Sequence, residues 1–172
     1  MNMDQKEFQT RVSGVSNRIY RLALTMLQQQ QDAEDILQEV QLRLWVHRKI
    51  IPELDSLEAY AIKITKNLCL DRIKTTKNRK MMDLNESNAG WENFTPFSKA
   101  SFQSLRDLML QLFNTLPEQQ RLIIHMRDIE HCSFEEIENI TGMNVNAIRV
   151  NLSRARKSVR SNYLKIRAYE DR

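Results

Sequence analysis

Three glycines (Gly14, Gly90, Gly142) and three prolines (Pro52, Pro96, Pro117) in 172 residues leave this chain few places to reverse direction. A many-stranded sheet needs turn residues about every 8–12 positions, so strands are disfavoured and long helices with few breaks remain. The same scarcity excludes glycine-rich phosphate loops, which need backbone without a Cβ against the phosphates. An apolar fraction of 41% is enough to build a core. No stretch approaches the roughly 20 apolar residues of a membrane span. The first residues, with Asp4 and Glu7, lack a basic-then-apolar leader pattern, so a cytoplasmic location is expected. The fold class expected is all-α.

Hydrophobic spacing places the helices. Phe8, Val12, Val15, Ile19, Leu22 and Met26 recur at helical period, and Asp4 with Glu7 resembles a capping box, predicting a helix over 4–27. A polar break at 28–31 precedes a second helix, capped by Asp32 and striped by Ala33, Leu37, Val40 and Leu44, running to about 49. Residues 50–56, with Pro52, form a loop. A third helix covers 57–80. Residues 81–101 lose all periodicity and are expected as a flexible linker, although Trp91, Phe94 and Phe97 are unusual in a free tether. Helical pattern resumes at 102–114, and Pro117 suits the first position of a helix over 117–129. Ser133 with Glu136 forms a capping box opening a short helix through Ile140, and Gly142 sits in a turn that can take positive φ. A last helix follows Asn144 to about 165. Two small helical domains are therefore expected, 1–80 and 102–172.

Net charge is only +4, yet it is unevenly spread. Seven basic residues fall between 63 and 80 against one acid, Asp71, and seven more between 149 and 167 against none. Acids gather at 32–39 and 128–138. Two basic strips on a nearly neutral chain suggest two contacts with a polyanion. Cys69 and Cys132 stand far apart with no second ligand nearby, and His47, His125 and His131 lack metal spacing. No metal, cofactor, small-molecule substrate or catalytic residue is expected, since nothing resembles a nucleophile–base pair or a carboxylate site.

The sharpest local signal is the short helix, glycine turn and long basic helix from 133 to 157, a helix-turn-helix arrangement whose second helix enters the major groove. Ile148, Leu152, Ala155 and Val159 form its packing face. Asn146, Arg149, Val150, Ser153, Arg154 and Lys157 point the other way, with Arg156 and Arg160 suited to phosphate. On the 57–80 helix, Lys63, Lys66, Lys74 and Lys77 share a face with Tyr60 and Asn67 along its edge. An aromatic ring beside lysines is what single-stranded DNA requires. A core tyrosine beside solvated lysines would give the same pattern. On the second helix, Asp35, Gln38, Glu39 and Leu42 lie off the core stripe. An acidic face with an exposed leucine suits a protein partner, and equally plain solvent surface.

In order along the chain, DAEDILQEVQLRLW (32–45), AYAIKITKNLCLDR (59–72), and LPEQQR (116–121) with NLSRARK (151–157) resemble the successive functional segments of extracytoplasmic-function (ECF) sigma factors of the sigma-70 family. The resemblance implies a subunit that binds core RNA polymerase and directs it to specific promoters. By it, Asp35, Gln38, Glu39 and Leu42 would contact the β′ coiled coil, with the β subunit as a further contact. Tyr60, Lys63, Lys66, Asn67, Lys74 and Lys77, with the 48–56 loop, would handle the melted −10 element. Asn146, Arg149, Val150, Asn151, Ser153, Arg154 and Lys157 would meet the −35 element. An anti-sigma partner is implied as well. Tyr60 stands where the family usually has tryptophan and Ala61 where a larger apolar residue is common, so the melting wedge is reduced. The rival reading is a one-component helix-turn-helix regulator with an N-terminal ligand-binding or dimerisation domain. It leaves the acidic helix and the second basic helix without a joint purpose.

Overall fold

The computed structural model describes residues 4–84 and 105–170. The first domain holds α1 (Gln5–Leu27), α2 (Gln30–Val46) and α3 (Leu57–Leu84), and the second holds α4 (Leu105–Asn114), α5 (Glu118–Ile124), α6 (Phe134–Thr141) and α7 (Val145–Glu170). No strand occurs among the described residues.

The helix ends follow local chemistry. Asp4 accepts the Glu7 N–H at 2.7 Å and opens α1, while the Glu7 carboxylate turns to Arg11 rather than closing a reciprocal box. Helix α2 starts at Gln30, two residues before the expected cap, and Gln29 makes no side-chain cap bond. Asp32 therefore lies in the first turn, where a carboxylate favours the positive end of the helix dipole. Gln28 takes the left-handed conformation (φ 62°) that ends α1, so the reversal needs only two residues outside helix. Ile51–Glu53 is a 3₁₀ turn whose Ile51 is buried, anchoring the loop before α3. Helix α3 runs past 80 to Leu84, because Met81, Met82 and Leu84 are ordinary helix formers and no breaker precedes Asn85. The rest of the expected linker, with Trp91, Phe94 and Phe97, lies outside the described residues.

In the second domain, Pro117 occupies the N-cap rather than the first helical position. The helix expected to 129 changes at His125 into a π-type turn, His125–Ile129, which closes with Glu130 N–H on the His125 carbonyl. His131 then adopts φ 56°, uncommon for a residue with a Cβ. The Ser133–Glu136 capping box is present in both directions, at 3.1 and 2.6 Å. Gly142 (φ 73°) ends α6 by donating to the Glu138 carbonyl, and Asn144 caps α7 through the Ala147 N–H.

The two cores meet. An amphipathic helix on one surface buries a stripe, yet Leu22, Ala23, Leu24, Thr25 and Met26 are buried consecutively. A helix end buried all round needs neighbours on every side. Helix α1 packs on α2 and α3 in its own domain and on α4, α5 and the His125–Ile129 turn of the other. Arg121 fastens this join: its guanidinium donates to the Met26 carbonyl at 2.9 Å, and to those of Leu116 and Asn114 at 3.0 and 3.2 Å. It uses the free carbonyls that a helix C-terminus always leaves.

A methyl group at Gly142 would meet nothing within 4 Å, so Gly142→Ala isolates the cost of the left-handed backbone. We expect a loss of about 1–2 kcal/mol, read as a lowered urea midpoint with an unchanged denaturant slope. No loss would show that the turn relaxes freely.

Candidate nucleic-acid interface

Three surfaces follow from this frame. On α7, Ile148, Leu152 and Ala155 are buried and Val159 is half-buried against α5 and α6, fixing the rotation of the helix. Asn146, Arg149, Val150, Ser153, Arg154 and Lys157 are consequently exposed together. Asn151 is half-buried and its amide donates to the Ala147 carbonyl, which places it at the edge of that face. Arg149 stacks over the Phe134 ring at 5.1 Å, with Arg127 over the same ring at 4.6 Å. Arg156, expected on phosphate, is instead held in a two-bond ion pair by Asp128 at 2.6 and 3.0 Å, whereas Arg160 is exposed.

On α2, the buried stripe is Ala33, Ile36, Val40 and Leu44, with Leu37 half-buried. Asp35, Gln38, Glu39 and Leu42 are all exposed on the far side. Asp35 reaches Arg72 of α3 at 3.0 Å, so it braces α2 on α3 while remaining accessible, and Glu39 pairs with Arg43. Leu42 and Val46 of α2, and Ile50 in the turn that follows it, are all exposed beside the acidic row.

Helix α3 buries Ala61, Ile62, Thr65, Leu68 and Cys69, and the thiol of Cys69 is pushed up to about 12 by burial, which removes it from thiol chemistry. Tyr60 is half-buried against the core, and Lys63, Asn67, Lys74 and Lys77 are exposed. Lys66 differs from the expected free lysine. It is half-buried, and its ammonium donates at 3.0 Å to the Ile140 carbonyl at the end of α6, in the other domain. Burial and the like charge of Lys63 hold its pKa below the ordinary value. Lys77 likewise pairs with Glu118 of α5.

The strongest polar contact between domains was not legible in the sequence. The carboxylate of Glu130 takes hydrogen bonds from Arg21 at 2.8 Å twice and from Arg18 at 3.0 Å, and its side chain is 5% exposed. His125, fully buried, lies 3.4 Å away. Burial alone would raise the Glu130 pKa, but His125 and Arg21 outweigh it and hold the acid at about 2. Among the described residues no cluster of three metal-ligating side chains occurs, and no helix is long and apolar enough to cross a membrane.

A helical pair of domains, one ending in a basic helix-turn-helix and the other carrying a basic helix beside an acidic one, defines a DNA-binding protein with a further partner surface. Residues 12–79 match sigma-70 region 2 and residues 106–159 match sigma-70 region 4. The ECF sigma factor SigW of Bacillus subtilis is 28% identical over 168 residues, spanning 91% of this chain and 89% of SigW. SigV of the same organism is 29% identical, over 82% of this chain and 81% of its own. Among solved structures, the sigma factor RpoE of Bartonella quintana in complex with the anti-sigma factor NepR superposes with a TM-score of 0.70 at 20% identity, over 91% of this chain and 96% of that one. CnrH in complex with the cytosolic domain of CnrY gives 0.63 at 18%, over 95% and 90%. The chain belongs to the ECF group of the sigma-70 family. It is a sigma factor, which binds core RNA polymerase and directs it to promoters.

The low pKa of Glu130 sets an acid limit. A depressed carboxylate contributes stability in full above its unfolded pKa, about 4.5, and loses it as pH falls towards 2. The join between domains should therefore be unaffected from pH 7 to 5 and weaken below about 4.5. Thermal unfolding across that range, with Glu130→Gln removing the acid-dependent step, measures it. Equal acid sensitivity of both proteins would remove Glu130 as its source.

Proposed function

We propose that promoter selection divides among the three surfaces in a domain pair spanning 1–80 and 102–172. The acidic and apolar rows of α2, with Asp35, Gln38, Glu39 and Leu42, bind the β′ coiled coil of core polymerase, and the β subunit supplies a further contact. The exposed face of α7 reads the −35 duplex. Asn146, Arg149, Val150, Asn151, Ser153 and Arg154 reach base edges, while Lys157 holds phosphate. Helix α3 holds the melted −10 strand, Tyr60 stacking on unpaired bases with Asn67 beside it, and Lys63, Lys66, Lys74 and Lys77 on the backbone. The chain works as a transcription initiation factor in the cytoplasm, without catalytic residues, cofactor or small-molecule substrate, and under control of an anti-sigma protein. Anti-sigma control is supported by the two structural neighbours, each in complex with such a partner or its cytosolic domain.

The observation that carries this division is the joint exposure of Asn146, Arg149, Val150, Ser153 and Arg154 on one side of α7, with Ile148, Leu152 and Ala155 buried on the other.

For polymerase binding, Glu39→Lys reverses one charge of the exposed row and leaves the core untouched. The expected loss is on the order of tenfold to a thousandfold in affinity for core enzyme, measured by competition against a second sigma factor. Undiminished competition by a folded variant would refute the assignment of α2.

For the DNA surfaces, a template already mismatched across the −10 element removes the cost of opening base pairs, which is several kcal/mol. Stacking on an aromatic returns about 1–3 kcal/mol per base, so Tyr60→Ala should fail mainly on closed duplex and recover on the mismatched template. Arg154→Ala, placed on the closed −35 duplex, should gain no comparable relief. Transcript yields of both variants on both templates decide it, and equal relief would show that α3 is not the melting element.

A further inference from the structure

On the reading face of α7, the guanidinium of Arg149 rests over the ring of Phe134, 5.1 Å from its centroid. Phe134 is the first residue of α6, the helix that packs against α7, and so stands outside the reading helix. The capping box between Ser133 and Glu136 fixes the backbone on either side of it, and its ring is half-buried against the core. Arg127 lies over the same ring at 4.6 Å and donates to the Cys132 carbonyl at 2.6 Å. The ring is thus held by its own backbone, by the core and by a tethered neighbour, whereas Arg149 is exposed. A leucine at 134 would satisfy the core equally well, but only a ring can carry two guanidiniums. Two cations at one ring repel each other, and the exposed carboxylate of Glu135, next along α6, offsets that repulsion. Its own N–H and Ser133 hold this acid below its ordinary pKa, with smaller help from Arg149 and Arg127.

We propose that Phe134 is a positioning residue for promoter reading: its ring holds Arg149 in place for one base pair of the −35 duplex. A residue outside the reading helix then sets how sharply that base pair is discriminated. The inference rests on the reading of α7 as the −35 helix and of Arg149 as a base contact. An exposed arginine explores many rotamers, and fixing it against a base costs entropy at the moment of binding. Attraction to a ring whose centroid lies within about 6 Å holds the guanidinium near one place beforehand. Stacking engages the face of the guanidinium and leaves its in-plane N–H donors free. Those are the donors that pair two at a time with the edge of a guanine. Holding the fork in one arrangement favours the base that fits it, whereas a loose arginine meets phosphates and wrong bases at less penalty. Lysine at 149 would keep the charge and lose both the stacking and the fork.

The test uses holoenzyme reconstituted from the full chain and core polymerase, with a duplex library randomised over both promoter elements. The sequences it retains give the base preference at each position. Arg149→Ala marks the position that Arg149 reads, as the one whose preference falls. Phe134→Leu and Phe134→Met keep an apolar contact with the core and lack a ring, whereas Phe134→Tyr keeps the ring. We expect both ringless variants to lose about three- to tenfold of the preference at the Arg149 position and little elsewhere. Phe134→Tyr should retain it. Added to Arg149→Ala, Phe134→Leu should cost nothing further at that position, as required of two residues that act as a unit. In the free chain, the Nε–H proton of Arg149, assigned by its absence from Arg149→Lys, should carry a ring-current shift that Phe134→Met abolishes. No such shift in the unmodified chain overturns the proposal, whether or not the ringless variants fold. A loss spread evenly over the −35 element, or equal in Phe134→Tyr and Phe134→Leu, would mean a packing role alone and also overturn it. Unchanged preference in folded ringless variants removes the positioning while the reading of Arg149 stands. If Arg149→Ala itself alters no preference, Arg149 is not a base reader and the inference falls with that reading.

Discussion

The last turn and a half of α1 serves two hydrophobic cores at once, and the arrangement of the whole molecule depends on that sharing. Leu22 to Met26 are buried without interruption, and the buried side chains of both domains join into one continuous cluster through them. Apolar burial supplies attraction but little direction. Direction comes from Arg121, whose guanidinium meets three carbonyls, one of them from the first domain. Its Nε finds no partner, and burial holds its pKa down, so the contact is not a large net stabiliser. A buried cation with that many defined acceptors tolerates one placement of the second domain and penalises the others. It acts on geometry more than on stability.

Charge then does for the surfaces what Arg121 does for the cores. A net charge of +4 conceals two basic strips and two acidic stretches. Across the join acidic groups of the second domain meet basic groups of the first: Glu118 meets Lys77, and Glu130 meets Arg18 and Arg21. Asp128 turns inward within its own domain to hold Arg156. Of the acids of its domain, Glu118, Asp128 and Glu130 pair with cations outside the reading face of α7. A rival one-component regulator would have no evident need for an exposed acidic row on α2 beside the exposed lysines of α3.

Much of this was legible from spacing. Helix α6 is short and strongly amphipathic, its ends and the start of α7 are fixed by cap residues (Ser133, Asn144) and a terminating glycine, and the rotation of α7 followed from Ile148, Leu152, Ala155 and Val159. Helix α2 was placed three residues late because Asp32 is a good cap by type, whereas Gln29 is the cap residue and the helix starts at Gln30 without any side-chain cap. The π-type turn at His125–Ile129 has no sequence signature, since it keeps helical spacing on both sides. The contacts between domains were illegible for a different reason. Glu130 lies 112 positions from Arg18 and Lys66 lies 74 from Ile140, and no local periodicity encodes such a pairing. One clue was present: Leu22, Ala23 and Leu24 extend apolar character beyond the single stripe that a three-helix domain would need.

A join of this composition has to be firm yet reversible. Apolar contact around Leu22 to Met26 holds the domains together, and each exposed ion pair adds at most about 1 kcal/mol. The shielded Glu130 cluster adds cooperativity, because its bonds to the two arginines cannot be lost one at a time without stranding charge. Shifting such an equilibrium from almost wholly closed to almost wholly open takes a differential binding energy of roughly 5.5 kcal/mol. A large protein surface can supply that readily, and a few phosphates in solution cannot at physiological salt. A ligand shifts that equilibrium only by the difference in its affinity for the two arrangements. Contact confined to the row of α2 that is already exposed leaves the join as it is.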